Sequence, residues 1–179
     1  FKFLGNNALF YMFLIGLVIP HQLVLVPLFL TMKTLGLLNN LMSLIFTYVT
    51  FGLPFSIFLM RSAFIPLPKA MEDVAKIDGC SDFRIFVQIM LPLVTPTVAA
   101  LIIFNTLWAW REFLFALIFI KETDMMTVPL GLMAFRGEYA SKQNIFASGL
   151  FMANLPILIA YFIFQRQFIS GLTVGALKG

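Results

Sequence analysis

The sequence predicts an all-α, polytopic transmembrane helical bundle. Three observations carry that prediction. First, of 179 residues, 61% are hydrophobic and only 11% charged, where a soluble domain has roughly 25% charged residues. Second, the mean hydropathy is +0.98, so lipid must cover surface that water would otherwise meet. Third, the apolar runs are continuous rather than alternating, which favours spanning helices over barrel strands.

Four stretches approach or exceed the ~20 apolar residues a spanning helix needs: about 8–32, 41–60, 94–120 and 145–164. Each contains or borders proline: Pro20 and Pro27, Pro54, Pro96, and Pro156. Membrane bundles tolerate such breaks where protein or cavity water satisfies the freed backbone groups, a weak transporter-like trait. We find no repeat, low-complexity linker or second domain, and expect residues 1–179 to form a single transmembrane domain.

Basic residues set the expected orientation. If the stretch with Arg61, Lys69, Lys76 and Arg84 is cytoplasmic, so are Lys2 and the Arg166/Lys178 end. Lys33, Lys121, Arg136 and Lys142 then lie outside, nearly balanced by Glu122, Asp124 and Glu138. The net charge of +4 is read in this way and not as a nucleic-acid footprint, because no basic stripe with interleaved polar contacts exists. One cysteine, Cys80, excludes an intramolecular disulfide, and one histidine, His21, excludes a His-rich metal cluster. His21, beside Pro20, is read as a polar group filling a helix break. Cys80 is read as a small packed residue.

Between the second and third apolar stretches, about 66–92, lies a charged island containing EDVAKIDGCSDFRIFVQIMLP. It reads as two short helices. Pro68 suits a first helical position, and Glu72 and Asp73 suit early turns. Met71, Val74 and Ala75 share one face. Gly79 fits a helix end that needs positive φ, and Ser81 fits an N-cap. Phe83, Phe86, Val87 and Met90 then form one apolar stripe at α-helical spacing. Pro92 marks an end or a bend into the third span. On these grounds alone, the island is equally a solvated amphipathic loop resting on the membrane surface.

These residues carry a resemblance. Asp73-Val74-Ala75, three residues, Gly79, nine residues, then Ile89-Met90-Leu91-Pro92 resembles the EAA loop of ABC importer permeases in every spacing. Asp73 stands for the family's Glu and Val74 for its first Ala. GLPFSIFLMRSAFIPLPKAMEDVAKIDG, WAWREFLFAL, TVPLGLMAF and FISGLTVGALKG resemble segments of the carbohydrate branch, similar to the smaller subunit of the maltose permease. The resemblance implies a type I, MetI-like permease of six spans, of which four are visible. With Phe1 in place of Met, the chain is expected to be N-terminally incomplete. It further implies that the island is a coupling helix docking on an ATPase, with Glu72, Asp73, Ala75, Asp78, Gly79 and Pro92 as coupling residues. The implied partners are an ABC ATPase dimer using ATP and Mg, a second permease, an extracytoplasmic solute-binding protein and membrane lipid. The implied location is a bacterial or archaeal inner membrane.

Asn105, Trp108, Trp110, Arg111 and Glu112 fall within the third apolar stretch. A charge at the bilayer centre costs about 2.5–3.5 kcal/mol, so Arg111 and Glu112 should face protein, water or an interface. Asn105, Trp108 and Glu112 share a stripe. An aromatic ring with hydrogen-bonding groups suits a sugar, and Asn154 in the fourth stretch is a further pathway candidate. The competing reading places the tryptophans in an interfacial aromatic belt. Arg111 stands where the family stretch has Asn, which admits an acidic or phosphorylated sugar as cargo. Gly171, Gly175 and Gly179 have small-residue spacing but follow the last span, so they suit a tail contact and not a membrane dimer.

The expected function is therefore import of sugars or oligosaccharides, with no catalytic residue, metal or cofactor on this chain. No G-x-x-x-x-G-K-[ST] phosphate loop occurs, so ATP hydrolysis falls to a separate subunit. Alternative cargoes are glycerol phosphate, a polyamine or another small solute. The rival classes are a channel and a membrane-embedded enzyme using Arg111 and Glu112. No nucleophile–base set supports the enzyme.

Overall fold

The computed structural model describes residues 3–138 and 143–173, with side chains through Gly137 and from Gln143 to Ile163. Among these residues every regular element is helical. The helices are α1 (Asn6–Val18), α2 (Leu25–Thr34), α3 (Leu41–Phe64), α4 (Lys69–Ile77), α5 (Asp82–Leu93), α6 (Thr95–Arg111), α7 (Leu114–Phe119), α8 (Val128–Glu138) and α9 (Gln143–Thr173). Short 3₁₀ turns at His21–Val24 and Thr123–Met125 join them. Lys2, Lys142, Lys178, Gly175 and Gly179 lie outside the described residues, as do the side chains of Glu138 and Arg166.

Among the described residues, two helices are long and apolar enough to cross a membrane, Leu41–Phe64 and Gln143–Ile163. Two bent pairs complete up to four crossings. The first apolar stretch is one such pair and not a single straight helix: α1 and the His21–Thr34 segment meet at 95°. Proline disfavours helix at the residue before it. Ile19 (ψ 114°) and Pro20 (ψ 131°) are both extended. The second bent pair, α5 with α6, turns by 73°. The stretch 94–120 is likewise broken, because the chain leaves helical geometry at Glu112 (ψ 131°) before α7 begins.

Helix α3 is the hub. Asn40 caps it by accepting a hydrogen bond from the Met42 N–H at 3.0 Å, which satisfies a donor that the first turn leaves free. Helix α1 packs against it at Gly16, where an added Cβ would lie 3.1 Å from Pro54 Cγ. Nearer the other end of α1, Arg61 Nη2 donates to Asn7 Oδ1 at 3.3 Å. Helix α6 packs on α3 at Gly52, where an added Cβ would lie 3.2 Å from Asn105 Oδ1. Two apolar cores result. The larger one joins Met32, Leu44, Phe115, Ala116, Phe119, Ile120 and Leu130. The smaller one joins Ala75, Ile85 and Met90 in the charged island. In α9, none of the apolar spanning window is buried inside the chain, so its surface is left to lipid or neighbouring protein.

Candidate functional site

The charged island is a helical hairpin of α4 and α5. Helix α4 ends in a Schellman motif. Gly79 takes φ +77°, its N–H donates to the Lys76 carbonyl at 3.0 Å, and the Cys80 N–H donates to the Ala75 carbonyl at 3.0 Å. Ser81 caps α5, accepting from the Arg84 N–H at 3.4 Å, and Lys76 spans the turn to Asp82 at 3.4 Å. The hairpin core is Ala75 against Ile85 and Met90, with Phe64, Leu67, Cys80 and Ile89 packed around it. Phe64 and Leu67 tie the hairpin to the end of α3. The hairpin tip presents Val74, Ile77 and Phe83, 59%, 85% and 76% exposed, beside exposed Asp73 and Asp78. Such a capped unit with an apolar, acid-flanked tip can dock a partner and move as one body.

A second site lies at the other breaks. Where α6 ends, the Glu112 carboxylate turns onto the first turn of α7, accepting from the Phe115 N–H at 2.8 Å and the Ala116 N–H at 3.3 Å. Tyr48 of α3 donates its hydroxyl to the same carboxylate at 2.9 Å. An acid at a helix start satisfies free N–H groups and favours the helix dipole. A charge inside the bundle is thus absorbed by three donors. His21, held at the α1–α2 break, packs edge-on against Phe51 with ring centroids 4.4 Å apart, and against Trp108 at 5.8 Å. Trp108 in turn meets Tyr48 at 5.4 Å. Between these breaks opens a cleft of about 670 Å³ lined by His21, Gln22, Phe104, Trp108, Arg111 and Glu112, among others. It offers an indole face, an imidazole, an amide and a guanidinium.

Residues 1–173 match the family profile described as binding-protein-dependent transport system inner membrane component. The chain belongs to this family. It is 39% identical, over its whole length, to the arabinooligosaccharides transport system permease protein AraQ of Halalkalibacterium halodurans, covering 63% of that protein. It is 36% identical over its whole length to AraQ of Bacillus subtilis, covering 63% of it. Over 99% of its length it is 38% identical to the diacetylchitobiose uptake system permease protein NgcG of Streptomyces coelicolor, covering 60% of it. The chain thus spans about 60–63% of the length of these curated relatives.

In this chain, the structure gathers some of the residues expected from sequence and separates others. Asn105, Trp108 and Glu112 do form one stripe, and it faces α3: Asn105 Nδ2 donates to Ser56 Oγ at 3.1 Å. Only Trp108, Arg111 and Glu112 of the pathway candidates line the cleft. Trp110 points away, its indole donating to the Ala153 carbonyl of α9 at 3.2 Å. Asn154 is exposed and bonded back to the Leu150 carbonyl at 2.8 Å, so it does not join the cleft. Glu112 is a helix cap and not a free acid.

The expected apolar stripe of the second island helix is also corrected. Phe83 is 76% exposed and Val87 40%, whereas Ile85 is 4% exposed. The cause is a π turn at Phe86–Met90, with the Leu91 N–H bonded to the Phe86 carbonyl. This i→i+5 winding brings Ile85 and Met90, five apart, onto one face. Pro92 lies one turn on in the same helix. It has no N–H for the carbonyl four residues back, and its ring crowds that carbonyl. In α4, only Ala75 of the expected Met71/Val74/Ala75 face is buried. Pro68 is the residue before the first helical one and not the first. The sequence reading missed Tyr48 and Ser56. With Gly52 they recur every four residues in an apolar run, a small-and-polar stripe that marks a helix contact.

Proposed function

We propose that this chain is the membrane-spanning permease part of an ATP-driven importer, taking in sugars or oligosaccharides handed over by an external binding protein. Hydrolysis belongs to a partner ATPase dimer that uses ATP and Mg, with no enzyme activity and no bound cofactor on this chain. A second permease subunit completes the pathway, and the setting is a multi-pass position in a bacterial or archaeal inner membrane. The observation that carries the reading is the α4–α5 hairpin. Its Schellman-capped Gly79 turn and its own apolar core make it stiff enough to transmit a push. Its exposed Val74, Ile77 and Phe83 offer the contact. The names of the AraQ and NgcG relatives support an oligosaccharide cargo. The Trp108–His21–Arg111 cleft is chemically suited to one.

The test is purification of the tagged full-length protein in mild detergent beside a Gly79→Val variant, with partners identified by mass spectrometry. An ATPase and a second permease that accompany the native protein, with the ATPase lost from the variant, are the expected result. A protein that purifies alone under conditions preserving such complexes refutes the coupling role.

One observation favours a second reading of the cargo. Arg111 lines the cleft with no ion pair to it among the described residues. A permanent guanidinium there fits a carboxylated or phosphorylated sugar better than a neutral one.

A further inference from the structure

A second cavity, of about 660 Å³, lies between α1, the last turns of α3 and the α4–α5 hairpin. Much of its lining is aromatic and aliphatic, with Phe10, Phe13, Ile57 and Phe86 among the residues. Its charged lining is Arg61, Lys69 and Lys76, with Glu72 and Asp82. Lys76 and Asp82 take up each other at 3.4 Å. That leaves two cations, Arg61 and Lys69, against the one carboxylate of Glu72. Arg61 is fixed in place. Its guanidinium carbon sits 3.9 Å above the Phe10 ring centroid, and one nitrogen donates to Asn7. A guanidinium has five N–H donors, so most stay available. Lys69 begins α4, just beyond the end of the spanning helix α3.

We infer that this cavity holds an anionic phospholipid of the cytoplasmic leaflet, its phosphate between Arg61 and Lys69 and its acyl chain along Phe10, Phe13 and Phe86. A soluble anion has no use for the aromatic lining, and a lipid without net charge leaves the excess positive charge unmatched. The occupant touches α1, α3 and α5 together, so it braces the joint through which the hairpin and the spanning helices move. The cytoplasmic assignment rests on the proposed function, in which the hairpin meets the ATPase.

The test is native mass spectrometry of the full-length protein, with the subunits that accompany it, released from nanodiscs of phosphatidylcholine and phosphatidylglycerol. Retained phosphatidylglycerol should exceed retained phosphatidylcholine. Each basic residue near an anionic surface contributes enough that Lys69→Gln should lower retention about fivefold. Arg84→Gln should leave it unchanged, since Arg84 is bonded to Gln88 and lies outside the cavity lining. Lys69 is exposed, so its variant keeps the fold. A photo-crosslinker at position 13 should label lipid. Equal retention of the two lipids, no effect of Lys69→Gln, or a protein adduct at position 13 overturns the proposal. Co-purification of the ATPase, scored in the same preparations, reports separately on the permease reading.

Discussion

Tyr48 and Glu112, 64 residues apart, are joined by a 2.9 Å hydrogen bond that ties the hub helix α3 to the cap of α7. Three donors converge on that carboxylate, and two of them are backbone groups of the helix it starts. The bond therefore fixes the break between α6 and α7 against α3. Tyr48→Phe leaves the carboxylate short of one donor in a part-buried site. A hydrogen bond to a charged group contributes about 1.5–3 kcal/mol. Thermal unfolding of the purified protein should show a loss of that order for Tyr48→Phe, and a larger one for Glu112→Ala. The double variant should cost less than the sum of the two. Additive losses would mean the bond carries no energy.

The Gly79 turn separates conformation from crowding. A Cβ there meets nothing within 4 Å, so any penalty comes from φ +77° alone. For an L-residue with a side chain, the left-handed conformation costs about 1–2 kcal/mol, and more for a β-branched one. Gly79→Asn should transport nearly as the native protein does, since Asn tolerates this region. Gly79→Val should lose ATP-coupled uptake while the spanning helices keep their thermal stability. Normal uptake by Gly79→Val would falsify the turn model.

The π turn in α5 makes opposite predictions for neighbouring residues. Ile85 is buried against Ala75 and Met90, so Ile85→Ala should destabilise the hairpin by about 2–4 kcal/mol. Phe83 is 76% exposed, so Phe83→Ala should leave stability within about 0.5 kcal/mol and weaken association with the ATPase. Limited proteolysis reads the first effect and co-purification reads the second. If Phe83→Ala proved the more destabilising, the π register would be wrong.

Close packing at α3 predicts an order between two glycine substitutions. A Cβ at Gly16 would meet the rigid Pro54 ring at 3.1 Å, and one at Gly52 would meet the Asn105 amide at 3.2 Å. Overpacking of this kind costs about 1–3 kcal/mol. The Asn105 side chain can rotate, at the expense of its bond to Ser56, while the Pro54 ring cannot. Gly16→Ala should therefore lower the melting temperature more than Gly52→Ala.

The cleft predicts a split in cargo preference. With the proposed path, Trp108→Ala should weaken uptake of any sugar, since it removes the indole face. Arg111→Asn should spare neutral oligosaccharides and reduce uptake of uronate-containing ones about tenfold or more, in line with the loss of a charge-assisted bond. Competition uptake assays in whole cells distinguish the two. Equal loss for both cargoes would remove Arg111 from the recognition of charge.

By itself, the sequence determined the all-α membrane class, the capped Gly79 turn and the family. Those follow from composition and from local rules, in which a residue's type and its near neighbours decide the outcome. Helix α3 was legible for the same reason: it is a long apolar run, expected over about 41–60 and found over Leu41–Phe64. The tertiary structure alone decided which side chains meet. Trp110 and Asn154 look like pathway groups in sequence, yet one is spent on an α9 carbonyl and the other on its own helix. Tyr48 looks like one more aromatic residue, and its partner lies 64 positions away. The α5 stripe was misread because the expectation assumed 3.6 residues per turn, and a π turn breaks that count. The bends at Pro20 and Glu112 bring together groups far apart in sequence: His21 and Trp108 are neighbours because both pack against the same face of α3, at Phe51 and Tyr48. Local propensity can mark a break, but the partner it turns toward depends on packing between helices, which a one-dimensional pattern does not contain.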